Sequence, residues 1–259
     1  MIPRLFALLP AVALSFAFAQ SQSNAMLDGT KTTVPPPVSK PELSPEMRGD
    51  ILMARKMYRE AIDTFRQGSP KDPVLLNKIG IAYHQLAQLD SARKSYEQAV
   101  RLKPDYIEAI NNLGTIWYAK KNNRRAISYY NRALKIAPEE PKSASIYMNL
   151  GTAYFARKQY EQATKSFQIA MHLDPEVFER HGNYGVMLEE RSVEERGKFH
   201  FYMAKLYAKG GRSDLALQYL RKALEEGFHE KKLGEVPEFA SIKDMDEFKQ
   251  LLTLEPRVL

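Results

Sequence analysis

The chain has 259 residues, 44% of them hydrophobic and 27% charged, an ordinary soluble composition long enough for one or two domains or one repeat array. Its net charge of +7 comes from Lys and Arg interleaved with Glu along the chain, with no basic stripe alternating with stacking aromatics; this argues against a nucleic-acid module and for a solvated outer face. The absence of cysteine excludes disulfides, thiol chemistry, zinc thiolate sites and a lipid-anchored cysteine.

Residues 1–19 open with a positive charge at Arg4, continue as an apolar run from Leu5 to Phe18, and end on Ala17-Phe18-Ala19. Small residues at those positions are what a signal peptidase requires, and the run, interrupted by Pro10, is short against the ~20 apolar residues of a membrane span. The expectation is a signal peptide cleaved after Ala19, with a periplasmic or secreted mature chain free of a membrane span; an uncleaved anchor and a merely apolar N-terminus are the alternatives. From Gln20 to Ser44 the sequence turns to Ser, Thr, Asn and Pro, with Pro35-Pro36-Pro37 and Pro41, and reads as a disordered or polyproline spacer (20–44).

Residues 45–227 carry a repeat. Its clearest unit runs from Ile107 to Pro138, with Leu113-Gly114, Trp117, Ala126, Tyr130, Ala133 and Pro138 as landmarks. The same columns hold Gly80, Tyr83, Ala92, Tyr96, Ala99 and Pro104 before it, and Leu150-Gly151, Tyr154, Ala163, Phe167, Ala170 and Pro175 after it. Gly49, Leu52, Ala61, Phe65 and Pro73 form a weaker first copy, whose second helix should stop early at Gly68 and Ser69-Pro70. The glycines step by 31 (49 to 80), 34 (80 to 114), 37 (114 to 151) and 34 (151 to 185) residues, the long step placing Glu139-Glu140-Pro141 in a loop. Each unit predicts two antiparallel helices so close that small residues must stand at their contact: Gly114 facing Ala126, Trp117 and Tyr130 filling the gaps beside them, and Pro138 ending the second helix.

After Pro175, residues 176–190 read as another first helix, with Tyr184-Gly185 and Leu188 in register, and 192–209 as a longer helix. Gly210-Gly211 turns the chain into Leu215-Ala216, Tyr219-Leu220 and Ala223. Periodicity leaves open whether 192–209 pairs backwards with 176–190 or forwards with 213–227. The tail, 228–259, clusters Leu233, Val236, Phe239, Ile242, Met245, Phe248, Leu251 and Leu252, and reads as two short helices capping the exposed end of the array; an inhibitor folded into the groove is the sharper alternative.

These landmarks resemble the tetratricopeptide repeat family. The resemblance implies an all-α, right-handed α-solenoid of helix-turn-helix units with a concave inner face and a short helical C-terminal cap, such as many bacterial members carry. It also implies that the inner groove is lined by the side of each first helix two residues before its glycine: Lys78, Asn112, Asn149 and Asn183, with Met47 in the weak copy. In this family such asparagines often grip the backbone of an extended peptide, a carboxamide offering donor and acceptor together. On the same face lie Asn77, Ile81 and His84, then Asn111, Thr115 and Tyr118, then Met148, Thr152 and Phe155, the aromatics supplying anchors. Equally, the asparagines can bond to the neighbouring repeat and brace the stack. The family's clamp for a C-terminal carboxylate needs cations where Glu108 and Ser145 stand, which leaves Lys78 alone and argues against it.

No metal or cofactor is expected: His84, His172, His181, His200 and His229 are scattered, without the spacing that puts two on one ion, and no phosphate loop or nucleophile elbow occurs. The reading is a non-enzymatic, exported binding module or assembly scaffold for a protein or peptide partner. A subunit that self-associates by end-to-end stacking is the second reading, and an enzyme with an unrecognised site the third.

Overall fold

The structure, a computed structural model, describes residues 42–178, 192–230 and 232–253. All regular structure among them is helical. The four N-terminal hairpins are α1 (Pro45–Ala54) with α2 (Tyr58–Phe65), α3 (Pro73–Gln85) with α4 (Leu89–Leu102), α5 (Ile107–Ala119) with α6 (Asn123–Ile136), and α7 (Ala144–Ala156) with α8 (Tyr160–Leu173). Each first helix packs on its own second helix, and each hairpin on the next.

Local signals set the ends. Ser44 and Asp72 cap α1 and α3, the Asp72 carboxylate accepting from the Val74 N–H at 2.8 Å, and each is followed by a proline at the first helical position, where no N–H is needed. The second helices α4, α6 and α8 all stop two residues short of Pro104, Pro138 and Pro175, because the residue before a proline is driven out of the helical region. α2 ends early at Phe65, as the Gly68 and Ser69-Pro70 punctuation requires. The long repeat step is taken up by a 3-10 turn, Pro141–Ser143, pinned where the buried Ser143 hydroxyl donates to the Ala137 carbonyl at 2.5 Å.

The turn inside each hairpin places a residue in the left-handed region: Lys56, Ala87, Lys121 and Lys158 at φ 57° to 60°, and Gly211 at φ 75° in the fifth hairpin. Only Gly211 does so without a Cβ penalty. Ala87→Gly is therefore expected to raise unfolding free energy by about 0.5–1 kcal/mol, measurable as a shifted denaturation midpoint at unchanged slope.

The hairpin contact differs from the expectation in one respect. Gly114 faces the ring of Tyr130, not Ala126: a Cβ built at Gly114 falls inside van der Waals contact with that ring. Gly49 with Phe65, Gly80 with Tyr96 and Gly151 with Phe167 repeat the arrangement. The glycine thus makes room for the aromatic sixteen residues on, and all four rings are buried. Ala126 is wholly buried without being the glycine's partner, while Trp117 is half-buried beneath the Arg125 guanidinium, 4.4 Å from the ring centre.

Beyond α8, the predicted helix over 176–190 lies, from 179 on, outside the described residues. α9 (Val193–Lys209), capped by Ser192 onto the Glu195 N–H, pairs forwards with α10 (Ser213–Glu225) through the Gly210-Gly211 turn. Its Phe199 also meets Phe155 and Phe167 edge-on, at 5.5 and 5.8 Å between ring centres, so α9 packs against the α7–α8 hairpin as well. The tail forms two 3-10 turns, Leu233–Glu235 and Pro237–Phe239, and one α-helix, α11 (Asp246–Leu252), in place of two helices. Phe239, Ile242, Phe248 and Leu251 are buried in the same apolar cluster as α9 and α10, and Arg221 pairs with Glu247 at 2.8 Å.

Candidate functional site

The inner helices α3, α5 and α7 bring the expected face together around a hollow of about 210 Å³. Ile81, Ile107 and Ile146 form its apolar walls, Asn77, Asn111 and Asn112 its polar floor, and Glu108, Lys142 and Ser145 its rim. Lys142 and Ser145 arrive there because the 3-10 turn before α7 lengthens that repeat.

The floor is a chain of carboxamides between repeats. Asn112 Nδ2 donates to Asn77 Oδ1 at 3.0 Å, joining α5 to α3, and Asn149 Nδ2 donates to Asn111 Oδ1 at 3.3 Å, joining α7 to α5. The four are 0 to 8% exposed. Of the two readings of these asparagines, bracing is thus what Asn112 and Asn149 do in this structure. Asn149, at 0% exposure, lies out of a partner's reach, and its Oδ1 is buried without a partner. Asn111 Nδ2 and Asn112 Oδ1 make no hydrogen bond among the described residues, so an unpaired amide group and an unpaired carbonyl oxygen remain beside the hollow.

The other expected residues divide. Thr115 is half-buried and accepts from the Tyr130 hydroxyl at 3.4 Å while donating to the Asn111 carbonyl at 3.3 Å. Tyr118 is half-buried beside the α6 core. Thr152 is buried, its hydroxyl donating to the Met148 carbonyl at 2.9 Å. Phe155 is a correction: at 4% exposure it packs edge-on against Tyr160, Phe199 and Tyr202, serving the α9 junction and not the groove. Asn183 lies outside the described residues. Lys78 is held by Asp50 at 2.6 Å and Glu46 at 2.8 Å; burial opposes its charge, but the hydrogen bonds and charges of these carboxylates outweigh it and raise its pKa. Its charge is compensated from within, so it is not free to serve as the cation of a carboxylate clamp.

His84, near the end of α3, is largely withdrawn from water, and burial lowers its pKa. Because the folded value lies below the unfolded one, the unfolded state binds more protons as pH falls; stability is full above the unfolded value, about 6.5, and is lost below it. The melting temperature is expected to fall between pH 7.5 and 5.5, and to fall less in His84→Gln.

The sequence reading missed Ile107, Ile146 and Lys142 as groove residues. The isoleucines read as core by period alone, and no shared register marks them, since Ile107 stands seven residues before Gly114 and Ile146 five before Gly151. No group of three His, Asp or Glu side chains able to hold a metal, and no helix long and apolar enough to cross a membrane, occurs among the described residues.

Stacked helical hairpins that present one face of every first helix along a shared groove define a protein-interaction scaffold. The chain carries tetratricopeptide repeats: profiles described as "Tetratricopeptide repeat" match residues 105–176 and 200–226, and one described as "TPR repeat" matches 80–121. Over 84 residues it is 38% identical to "Protein O-mannosyl-transferase TMTC1" of Mus musculus, covering 31% of this chain and 9% of that protein. Over 95 residues it is 34% identical to "Uncharacterized protein ycf37" of Guillardia theta, covering 34% and 53%. Over 97 residues it is 30% identical to "Tetratricopeptide repeat domain-containing protein PYG7, chloroplastic" of Arabidopsis thaliana, covering 35% and 32%. The matched part thus spans 9% to 53% of these curated relatives' length. Among solved structures, MamA (residues 41 to end) of Desulfovibrio magneticus RS-1 aligns with 70% of this chain and 92% of its own, at 20% identity and a TM-score of 0.48.

Proposed function

We propose that this chain is an exported scaffold whose inner groove holds an extended segment of a partner protein, with the hollow between α3, α5 and α7 as its anchor point. The observation that carries this reading is the hollow itself: apolar walls beside an unpaired carboxamide NH2 and an unpaired carboxamide oxygen, groups that a peptide unit satisfies. Export rests on the Ala17-Phe18-Ala19 site after the apolar run, and N-terminal sequencing of envelope-derived protein is expected to begin at Gln20.

A photo-crosslinking amino acid placed at Ile81, in the groove, and separately at Lys94 on α4 tests the reading in intact cells. A discrete protein adduct from position 81 alone supports it. No adduct, or the same adducts from both positions, counts against it.

A second reading, self-association, is favoured by Met47 and Ile51, one turn apart on α1, and by Leu43 just before its cap, which are 54%, 42% and 43% exposed. Light scattering over a range of concentrations tests it: a mass that rises with concentration, and does so less in Met47→Lys, supports end-to-end assembly, whereas a constant monomer mass rejects it.

A further inference from the structure

The chain is basic as a whole, but in the α5–α6 hairpin the charge is divided unevenly between the two helices. α6, an outer helix, carries Arg124, Arg125, Arg132 and Lys135 and no acid. The inner helices α5 and α7 carry a single charged side chain between them, Glu108. Around the hollow the other charges are already matched: Lys78 by Asp50 and Glu46, and Lys142 by Glu140 at 2.9 Å. Glu108, exposed at the rim, makes no salt bridge among the described residues; its charge is felt by Lys142 across the rim, but Lys142 is held by Glu140, whose hydrogen bond is the larger cause of its raised pKa.

The size and walls of the hollow fix what enters it. A cavity of about 150 Å³ with apolar walls holds a benzene ring, so a hollow of about 210 Å³ has room for one apolar side chain with part of its peptide unit, and the walls of Ile81, Ile107 and Ile146 match a branched aliphatic one. The polar floor offers an aliphatic side chain nothing to bond with, while the unpaired Asn111 amide and Asn112 carbonyl oxygen suit a backbone carbonyl and N–H. A charged side chain in the same place would lose its water without a counter-ion.

Resting on the groove reading above, we infer that the hollow selects a branched aliphatic residue of the extended partner segment, with a lysine or arginine next to it in sequence lying against Glu108. The partner is thus a segment of aliphatic and basic residues, although the scaffold that binds it is itself cationic. Attraction by Glu108 sets which segment is chosen, and burial of the aliphatic chain sets how tightly it is held.

Selection of a phage-displayed random heptapeptide library on the immobilised full chain tests this. Enriched peptides are expected to pair Ile, Val or Leu with an adjacent Lys or Arg, and changing that aliphatic residue to Ala is expected to weaken binding about tenfold. On Glu108→Lys, a change at an exposed position, the aliphatic preference should persist and the basic neighbour should give way to an acidic one. Ser145→Phe, which fills the hollow, should abolish the aliphatic preference; if its circular dichroism melt shows that it does not fold, Ile81→Phe replaces it.

Peptides that compete with one another for the groove but lack the aliphatic–basic pair, or the same pair enriched equally on Glu108→Lys, overturn the specificity and leave the groove reading standing. No enrichment over a blank surface, or binding untouched by both hollow-filling changes, overturns both.

Discussion

Tyr130→Ala is expected to lower unfolding free energy by about 3–5 kcal/mol. The ring is completely buried at the centre of the α5–α6 hairpin, pressed into the space that Gly114 leaves by having no side chain, and the backbone around it cannot close the gap. Its hydroxyl reaches Thr115, and burial pushes its pKa well above the usual phenol value, so no charged form opposes folding near neutral pH. Because neighbouring hairpins stabilise one another, the loss should spread: hydrogen exchange should accelerate in α3 through α7 together, not in α6 alone. A drop below about 1 kcal/mol with protection retained in α3 and α7 would show that the glycine–aromatic contact does not couple the repeats. Gly114→Val probes the same contact from the other side. Its side chain collides with the ring, so it should cost about 1–3 kcal/mol, and Tyr130→Ala should be partly non-additive with it.

Asn111→Ala carries the second large effect. It removes the acceptor of the Asn149 amide, which is wholly buried and already has an unpaired Oδ1, leaving that carboxamide without any partner. A buried polar group stranded in this way costs about 1–3 kcal/mol. The same change removes the unpaired amide group beside the hollow, so partner affinity should fall as well as melting temperature. Asn149→Ala separates the two roles: it should lower the melting temperature while affinity, measured below the transition, stays unchanged, because its side chain is out of a partner's reach. An Asn149→Ala variant that melts normally but loses its partner would contradict the bracing role.

The repeat itself was legible from residue types at fixed spacing, because each landmark has a local cause. Prolines 104, 138 and 175 end helices through their own backbone chemistry, and Gly80, Gly114 and Gly151 recur because an aromatic ring must fit against the helix there. The hairpin count up to Pro175 and the ends of the second helices at Pro104, Pro138 and Pro175 follow from such signals alone.

What lay between helices was not legible. Period places Asn112 and Asn149 on the inner face, but only the distance between stacked helices decides whether a carboxamide turns to a partner or to the next repeat, and here it turns to the next repeat. Phe155 shares that face and is claimed by α9, a contact set by a helix almost forty residues away. The same holds for the direction in which α9 pairs: both candidate partners carry a compatible apolar stripe, and the tight Gly210-Gly211 turn into α10 forms the hairpin in the structure. Sequence determined the unit, since a helical hairpin is governed by neighbours a few residues apart. The groove was decided by tertiary structure, since its hydrogen bonds and its hollow exist only where separate repeats meet.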